Sequence, residues 1–243
     1  MEEKLLKIEK ISLAVLLVIC LGGGIIFGYV TAQIKNFSGI ENLKKFQPSV
    51  PTKLFDVNGE LIAELFLEKR DLVAYEELPK VLINAFIATE DRDFYSHFGL
   101  DPMAILRAFV KNILAGKVSQ GGSTITQQLA KRLFTSGERT LWRKIMEAIL
   151  ALQIEKRFTK EEILEMYFNQ IFLGRGCYGI SAASQLFFNK EARHLGVVES
   201  AIIAALPSAP GRHSPLMNTR RACAVNRHIL DRMVNAGFLD KGR

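Results

Sequence analysis

Three acids in four positions, Glu90, Asp91 and Asp93, stand in the stretch ATEDRDFYSHFG at residues 88–99. Ile83, Phe86, Ile87, Glu90, Phe94 and His97 recur at helical spacing, so a helix through them places Glu90 in line with an apolar stripe. If that helix ends nearby, the acids crowd a C-terminus whose dipole repels negative charge, at roughly 0.3–1 kcal/mol for each exposed charge. Such a cost asks for an offsetting role.

Other stretches carry chemistry of the opposite sign. QGGSTITQQLAKRLF, residues 120–134, opens on two glycines and then a capping box, with Thr124 followed three positions later by Gln127. The first turn of that helix offers free N–H groups and the hydroxyls of Ser123 and Thr124 to an anion, with Gln128, Lys131 and Arg132 further along. RTLWRKIMEAILALQIEKRF, residues 139–158, puts Arg143, Lys144 and Glu147 on one helix face. Apolar residues surround the trio on several sides, which predicts a buried helix and a buried charge cluster in need of partners. A second capping box, Thr159 and Glu162, starts the segment 159–180, whose glycines at 174, 176 and 179 lack phosphate-loop spacing and read as turns. The four histidines, His97, His194, His213 and His228, show no metal-ligand spacing. Asp91-Arg92-Asp93 forms a DxD pair of the kind that holds a divalent cation, but no series of strand and helix units supplies the nucleotide-binding sheet such sites need.

The elements that must hold these groups are mostly helical. From Leu78 onward the pattern is α, with few turn clusters before LPSAPGRHSP at 206–215. Ahead of it, Asn58-Gly59 separates two runs rich in apolar residues and predicts a β-hairpin. Residues 11–30 are twenty positions without a charge, which predicts a single transmembrane anchor rather than a cleaved signal peptide, whose apolar run is shorter. The expected organisation is a short N-terminal tail at 1–10, the anchor at 11–30, a connector at 31–50 and one domain over 51–243, and the charges flanking the anchor do not settle which side the tail lies on. Residues 104–118 carry an apolar stripe with Arg107, Lys111 and Lys117 beside it, read as core-facing with a membrane surface as the alternative. A net charge of +7 favours anionic partners, but the single Trp and dispersed bases lack the aromatic and basic interleaving of a nucleic-acid binder. Three cysteines are too few for a disulfide framework.

Taken together these stretches resemble the peptidoglycan glycosyltransferases, glycosyltransferase family 51. The first family motif matches Glu90, Asp91, Phe94, His97 and Gly99; the second matches GGSTITQQ; the third matches Arg143, Lys144 and Glu147; the fourth matches residues 163–174, with Phe168 in place of Leu. A fifth segment, AALPSAPGRHSP, has His213 where Tyr is more usual. The hairpin resembles the amino-terminal region of bifunctional class A penicillin-binding proteins, while Ser-x-x-Lys and Lys-Thr-Gly transpeptidase motifs do not occur, which predicts a piece of a longer protein.

The resemblance implies a mainly α, lysozyme-like two-lobed helical domain with a small β-hairpin and an N-terminal transmembrane helix, its catalytic part on the extracytoplasmic side of the bacterial cytoplasmic membrane and the tail at 1–10 on the cytoplasmic side. It implies lipid II as acceptor, a glycan strand growing on undecaprenyl pyrophosphate as donor, moenomycin-type inhibitors, and partners among cell-wall synthesis proteins. Glu90 becomes the general base. Lys131, Arg139 and Lys144, with Ser123, Thr124 and Gln128 as hydrogen-bond donors, become the pyrophosphate site; Arg143 belongs to the same cluster. Glu147 orients those cations, Asp91, Phe94 and His97 shape the surroundings of the base, and a divalent ion, Mg2+ or Mn2+, is compatible with Glu147 but not required. Residues 104–118 and the segment QIFLG would touch lipid. A lytic muramidase of similar fold and a non-catalytic membrane scaffold are the alternatives.

Overall fold

A computed structural model describes residues 52–65, 71–117, 121–134 and 140–240, together with positions 10, 13, 16, 17, 20–24 and 28. The chain divides into two units, Met1–Phe46 and Gln47–Arg243. In the first, every described position is helical. Among the described residues no helix is long and apolar enough to cross a membrane, and the anchor expected over 11–30 lies for the most part outside them.

The second unit opens with the expected hairpin. Strands β1 (Thr52–Phe55) and β2 (Leu61–Leu65) pair antiparallel, Thr52 opposite Leu65. Asp56 organises the turn: its Oδ1 accepts from the Asn58 and Glu60 N–H groups at 2.8 and 2.7 Å, and Gly59 takes the positive φ of 84°.

Helices then dominate, each begun by a recognisable local signal. Helix α1 (Lys80–Glu90) starts after Pro79. Helix α2 (Pro102–Ala115) is capped by Asp101, whose side chain accepts from Ala104 N–H, and stops at left-handed Gly116. Helix α3 (Ile125–Phe134) follows the predicted capping box: Gln127 Oε1 accepts from Thr124 N–H at 3.0 Å and Thr124 Oγ1 from Gln127 N–H at 3.1 Å. Thr140 caps α4 (Leu141–Arg157), and the Thr159–Glu162 box starts α5 (Lys160–Gln170). A small hairpin, β3 (Phe172–Gly174) with β4 (Cys177–Tyr178), turns through Arg175 and Gly176; the three glycines read as turns all take positive φ, Gly179 just before the next helix. Helices α6 (Ile180–Phe188), α7 (Val197–Ala205), α8 (Pro210–His213) and α9 (Thr219–Asn235) complete the chain.

Two packing groups result. Helix α1 lies against α7 and α9, while α3 lies against α4 and α5. Aromatic rings join them: Phe86 of α1 meets Phe168 of α5 edge-on at 5.0 Å and Tyr167 at 6.1 Å, and all three rings are buried. Asn169 ties the preceding segment to α5, its amide exchanging hydrogen bonds with both backbone groups of Val73 at 3.0 and 2.9 Å.

Three expectations change. The periodicity from Ile83 to His97 does not mark one helix: α1 ends at Glu90, and Asp91 to Phe98 fold back in turns, because the Asp91 carboxylate is drawn to the start of α3 instead. Helix α2 is not core-facing, since only Ala108 is buried while Met103, Ile105, Leu106, Phe109, Val110, Ile113 and Leu114 are exposed. The segment QIFLG is internal, with Gln170, Ile171, Leu173 and Gly174 buried, so it offers lipid little.

Candidate active site

Glu90 is the last residue of α1, and its carboxylate takes one hydrogen bond from a side chain: Gln128 Nε2 of α3 donates to Oε2 at 2.8 Å. Loss of solvent raises its pKa above the ordinary carboxylate range; the Gln128 bond and the positive charge of Arg232 pull the other way, and Asp91 adds to the rise. The side chain still reaches the surface, being half-buried, so a solute can meet it. A desolvated, reachable carboxylate with few donors is suited to take a proton from a hydroxyl.

Its neighbours in the first motif work differently. Asp91 is buried and accepts from the Ile125 N–H at the start of α3 at 2.9 Å and from His97 Nε2 at 2.9 and 3.1 Å. Gly99 N–H donates to His97 Nδ1 at 3.1 Å, which leaves the ring proton on Nε2, facing Asp91. Asp91 is therefore a brace between the turn and α3, placed where the helix dipole favours a negative charge. Phe94 is fully buried and receives the Lys160 ammonium over its ring face at 4.3 Å. Asp93, the other half of the DxD pair, turns away to Arg107 at 3.2 Å, so the pair does not converge on a common ion.

The cationic side is built by α3 and α4. Lys144 Nζ donates to Ser123 Oγ at 2.8 Å and to Glu147 Oε2 at 2.7 Å. Arg143 Nε lies 3.4 Å from Glu147 Oε1 without completing a hydrogen bond. The trio is not uniformly buried as its apolar surroundings suggested: the Glu147 side chain is 1% exposed, Arg143 18% and Lys144 49%. Trp142, Ile145 and Leu152 of the same helix are exposed, so α4 buries one face only. Lys131 belongs to the same cluster; partial burial lowers its pKa first, and the positive charges of Arg143, Arg132 and Lys144 lower it further against the pull of Glu147. Cations that destabilise one another are ready for an anion. Arg139 lies outside the described residues.

Thr124 is buried and its hydroxyl donates to Gly99 O at 2.6 Å, so it ties the first motif to the second rather than facing the opening. Among the described residues no group of three or more His, Cys, Asp and Glu side chains converges on a metal position. Glu147 alone, already held by two cations, is a poor donor set for a divalent ion.

Sequence reasoning missed five contributors: Lys160, Glu155, Thr126, Tyr167 and Arg232. Lys160 binds Glu155 at 2.7 Å and His97 O at 2.8 Å, with Thr126 Oγ1 also donating to Glu155. Tyr167 OH donates to Gln128 Oε1 at 3.3 Å. Arg232 of α9 donates to Thr89 O at 3.0 Å, at the C-terminal end of α1.

Comparison with known proteins identifies relatives of this chain. The sequence profile of the transglycosylase family matches residues 58–234. Penicillin-binding protein 1A of Aquifex aeolicus is 46% identical over 205 residues, 84% of this chain and 28% of that protein. Its namesake in Escherichia coli is 43% identical over 224 residues, 91% of this chain and 26% of that protein. The chain thus spans about a quarter of the length of these relatives. A crystal structure of penicillin-binding protein 1A from Haemophilus influenzae aligns over 81% of this chain and 20% of that one, at 25% identity and a TM-score of 0.45.

Proposed function

The chain belongs to the transglycosylase family, and from that premise we propose that it polymerises lipid II into the glycan strands of peptidoglycan. The reaction joins the acceptor GlcNAc 4-hydroxyl to the muramyl C1 of a strand carried on undecaprenyl pyrophosphate. An α-linked diphosphate becomes a β-1,4 bond, so configuration inverts and a single displacement suffices. Glu90 takes the hydroxyl proton as the oxygen attacks C1, and the C1–O bond to pyrophosphate breaks. A base so placed is worth about 10²–10⁴ in rate.

Pyrophosphate leaves without a proton if its charge is met. Lys144, Lys131 and Arg143, with Arg139 from the adjoining segment, supply that charge, and Ser123 and Gln128 add donors. Glu147 keeps Lys144 and Arg143 directed at the cleft. The divalent ion enters no step. In this reading the domain is lysozyme-like and two-lobed, anchored by residues 11–30 in the bacterial cytoplasmic membrane with its site outside. The apolar face of α2 then rests in the lipid from which the polyprenyl-linked substrate arrives.

The observation that carries the reading is Glu90: a carboxylate deprived of solvent, held by one amide, on the same helix α3 framework that positions the cation cluster through Ser123 and Lys131. Labelled lipid II in detergent tests it, with Glu90→Gln and moenomycin as controls and products resolved by size. Polymer that a muramidase digests, absent from both controls, is the expected result. Polymer from Glu90→Gln at the wild-type rate refutes Glu90 as base. Cleavage of preformed glycan with no polymer makes the protein a muramidase.

A further inference from the structure

Gln128 is the one side-chain hydrogen-bond donor to Glu90 among the described residues, and an amide can face a carboxylate in two ways. With its NH2 group forward it donates to the carboxylate. Rotated by half a turn it presents its oxygen, which repels the charged form and accepts from the protonated one. Nothing in Gln128 itself selects between these orientations.

The selection comes from α5. The Tyr167 ring is 2% exposed and wedged edge-on between Phe86 and Phe168, at 6.1 and 5.7 Å. Its hydroxyl has one described partner, Gln128 Oε1 at 3.3 Å, and burial together with the nearby Glu90 charge pushes the phenol's pKa up, so it keeps its proton. A phenol that must donate holds the amide oxygen toward itself, and the amide nitrogen is left pointing at Glu90.

We infer that Tyr167 is a positioning residue: through Gln128 it fixes the polarity of the amide that donates to Glu90 and so holds that carboxylate in its charged, proton-accepting form. The inference rests on Glu90 being the base. Other charges also face Glu90 and stay in place when the phenol is removed. Asp91 lies on the next residue, Arg232 reaches in from α9, and Arg132 acts on the Tyr167 end of the chain of bonds. Helix α7 contributes only Glu199, which is engaged by the Gly196 N–H and Lys190.

The test uses the full chain in detergent micelles with carboxyl-13C-labelled glutamate, the Glu90 signal being the one absent from Glu90→Gln. In Tyr167→Phe the titration midpoint of Glu90 rises by about 0.5–1 pH unit. The acid limb of the kcat/KM profile for polymerisation moves up by the same amount, and the rate recovers at higher pH. A residue that only packs would lower the rate equally at every pH. An unchanged midpoint overturns the inference. If Tyr167→Phe does not fold, 3-fluorotyrosine at position 167, a stronger donor of nearly the same shape, lowers the midpoint; no movement there overturns it as well. A midpoint that moves in a protein forming no polymer supports the positioning role while refuting the polymerase reading; one that moves in a protein that forms polymer equally well as Glu90→Gln supports it while refuting Glu90 as base.

Discussion

Gly99→Ala is the substitution for which the structure gives the sharpest number. Gly99 has φ of 87°, and a Cβ there would sit 2.9 Å from both the carbonyl carbon and oxygen of Ala151 in α4. Both are backbone atoms, so no side chain can swing aside. A left-handed alanine costs roughly 1–2 kcal/mol, and forcing an extra methyl into a packed contact about 1–3 kcal/mol, for an expected loss of about 2–5 kcal/mol. Gly116→Ala separates the two contributions, because Gly116 has φ of 61° with nothing within 4 Å of the added Cβ. It should lose only the backbone strain, about 1–2 kcal/mol. Urea titrations of both variants, compared at equal slope, read the difference. Gly99→Ala should also slow polymerisation, since its N–H holds the His97 ring and its carbonyl holds Thr124. Equal losses from the two variants would mean that the turn does not press against α4, and the account of how Asp91 and His97 are placed would fall with it.

Glu90 should show a stability signature of its own. Its carboxyl is protonated more readily in the folded than in the unfolded chain, so stability falls as pH rises through the unfolded and then the folded midpoint. Glu90→Gln should therefore be more stable than wild type at pH 8, with the gap closing as pH drops below the ordinary carboxylate range; denaturation at the two extremes checks the sign. On α2, Phe109 and Ile113 are 61% and 62% exposed, so replacing both by Lys should leave the urea midpoint nearly unchanged. In protein reconstituted into vesicles the same pair should slow polymerisation several-fold, and an unaffected rate would remove α2 from the lipid.

Local rules carried the sequence reading a long way. The capping boxes at Thr124 and Thr159, the Asn58-Gly59 hairpin and the glycine turns depend on residues within five positions of each other, and they stand as read. The motif residues were also legible, because their types and order are distinctive. What escaped is long-range. Lys160 reaches His97 across 63 positions and Tyr167 reaches Gln128 across 39, separations that leave no periodic trace. Periodicity also misled twice: it records that α2 has an apolar stripe but not whether protein or lipid covers it, and it carried the α1 pattern through a turn.

The grip of α9 on the end of α1 bears on the order in which the protein is made. Arg232 holds Thr89 O, and Arg92 holds Asn235 O at 3.3 Å, each across 143 residues. A growing chain exposes all the residues of the first four motifs well before it contains these two contacts. The charge of Arg232, which counters the rise in the Glu90 pKa, arrives after all of them. Closing so long a loop is slow compared with forming the helices inside it. The helices that precede α9 can therefore form while Glu90 still lacks that charge, and the site matures only when α9 folds back onto α1.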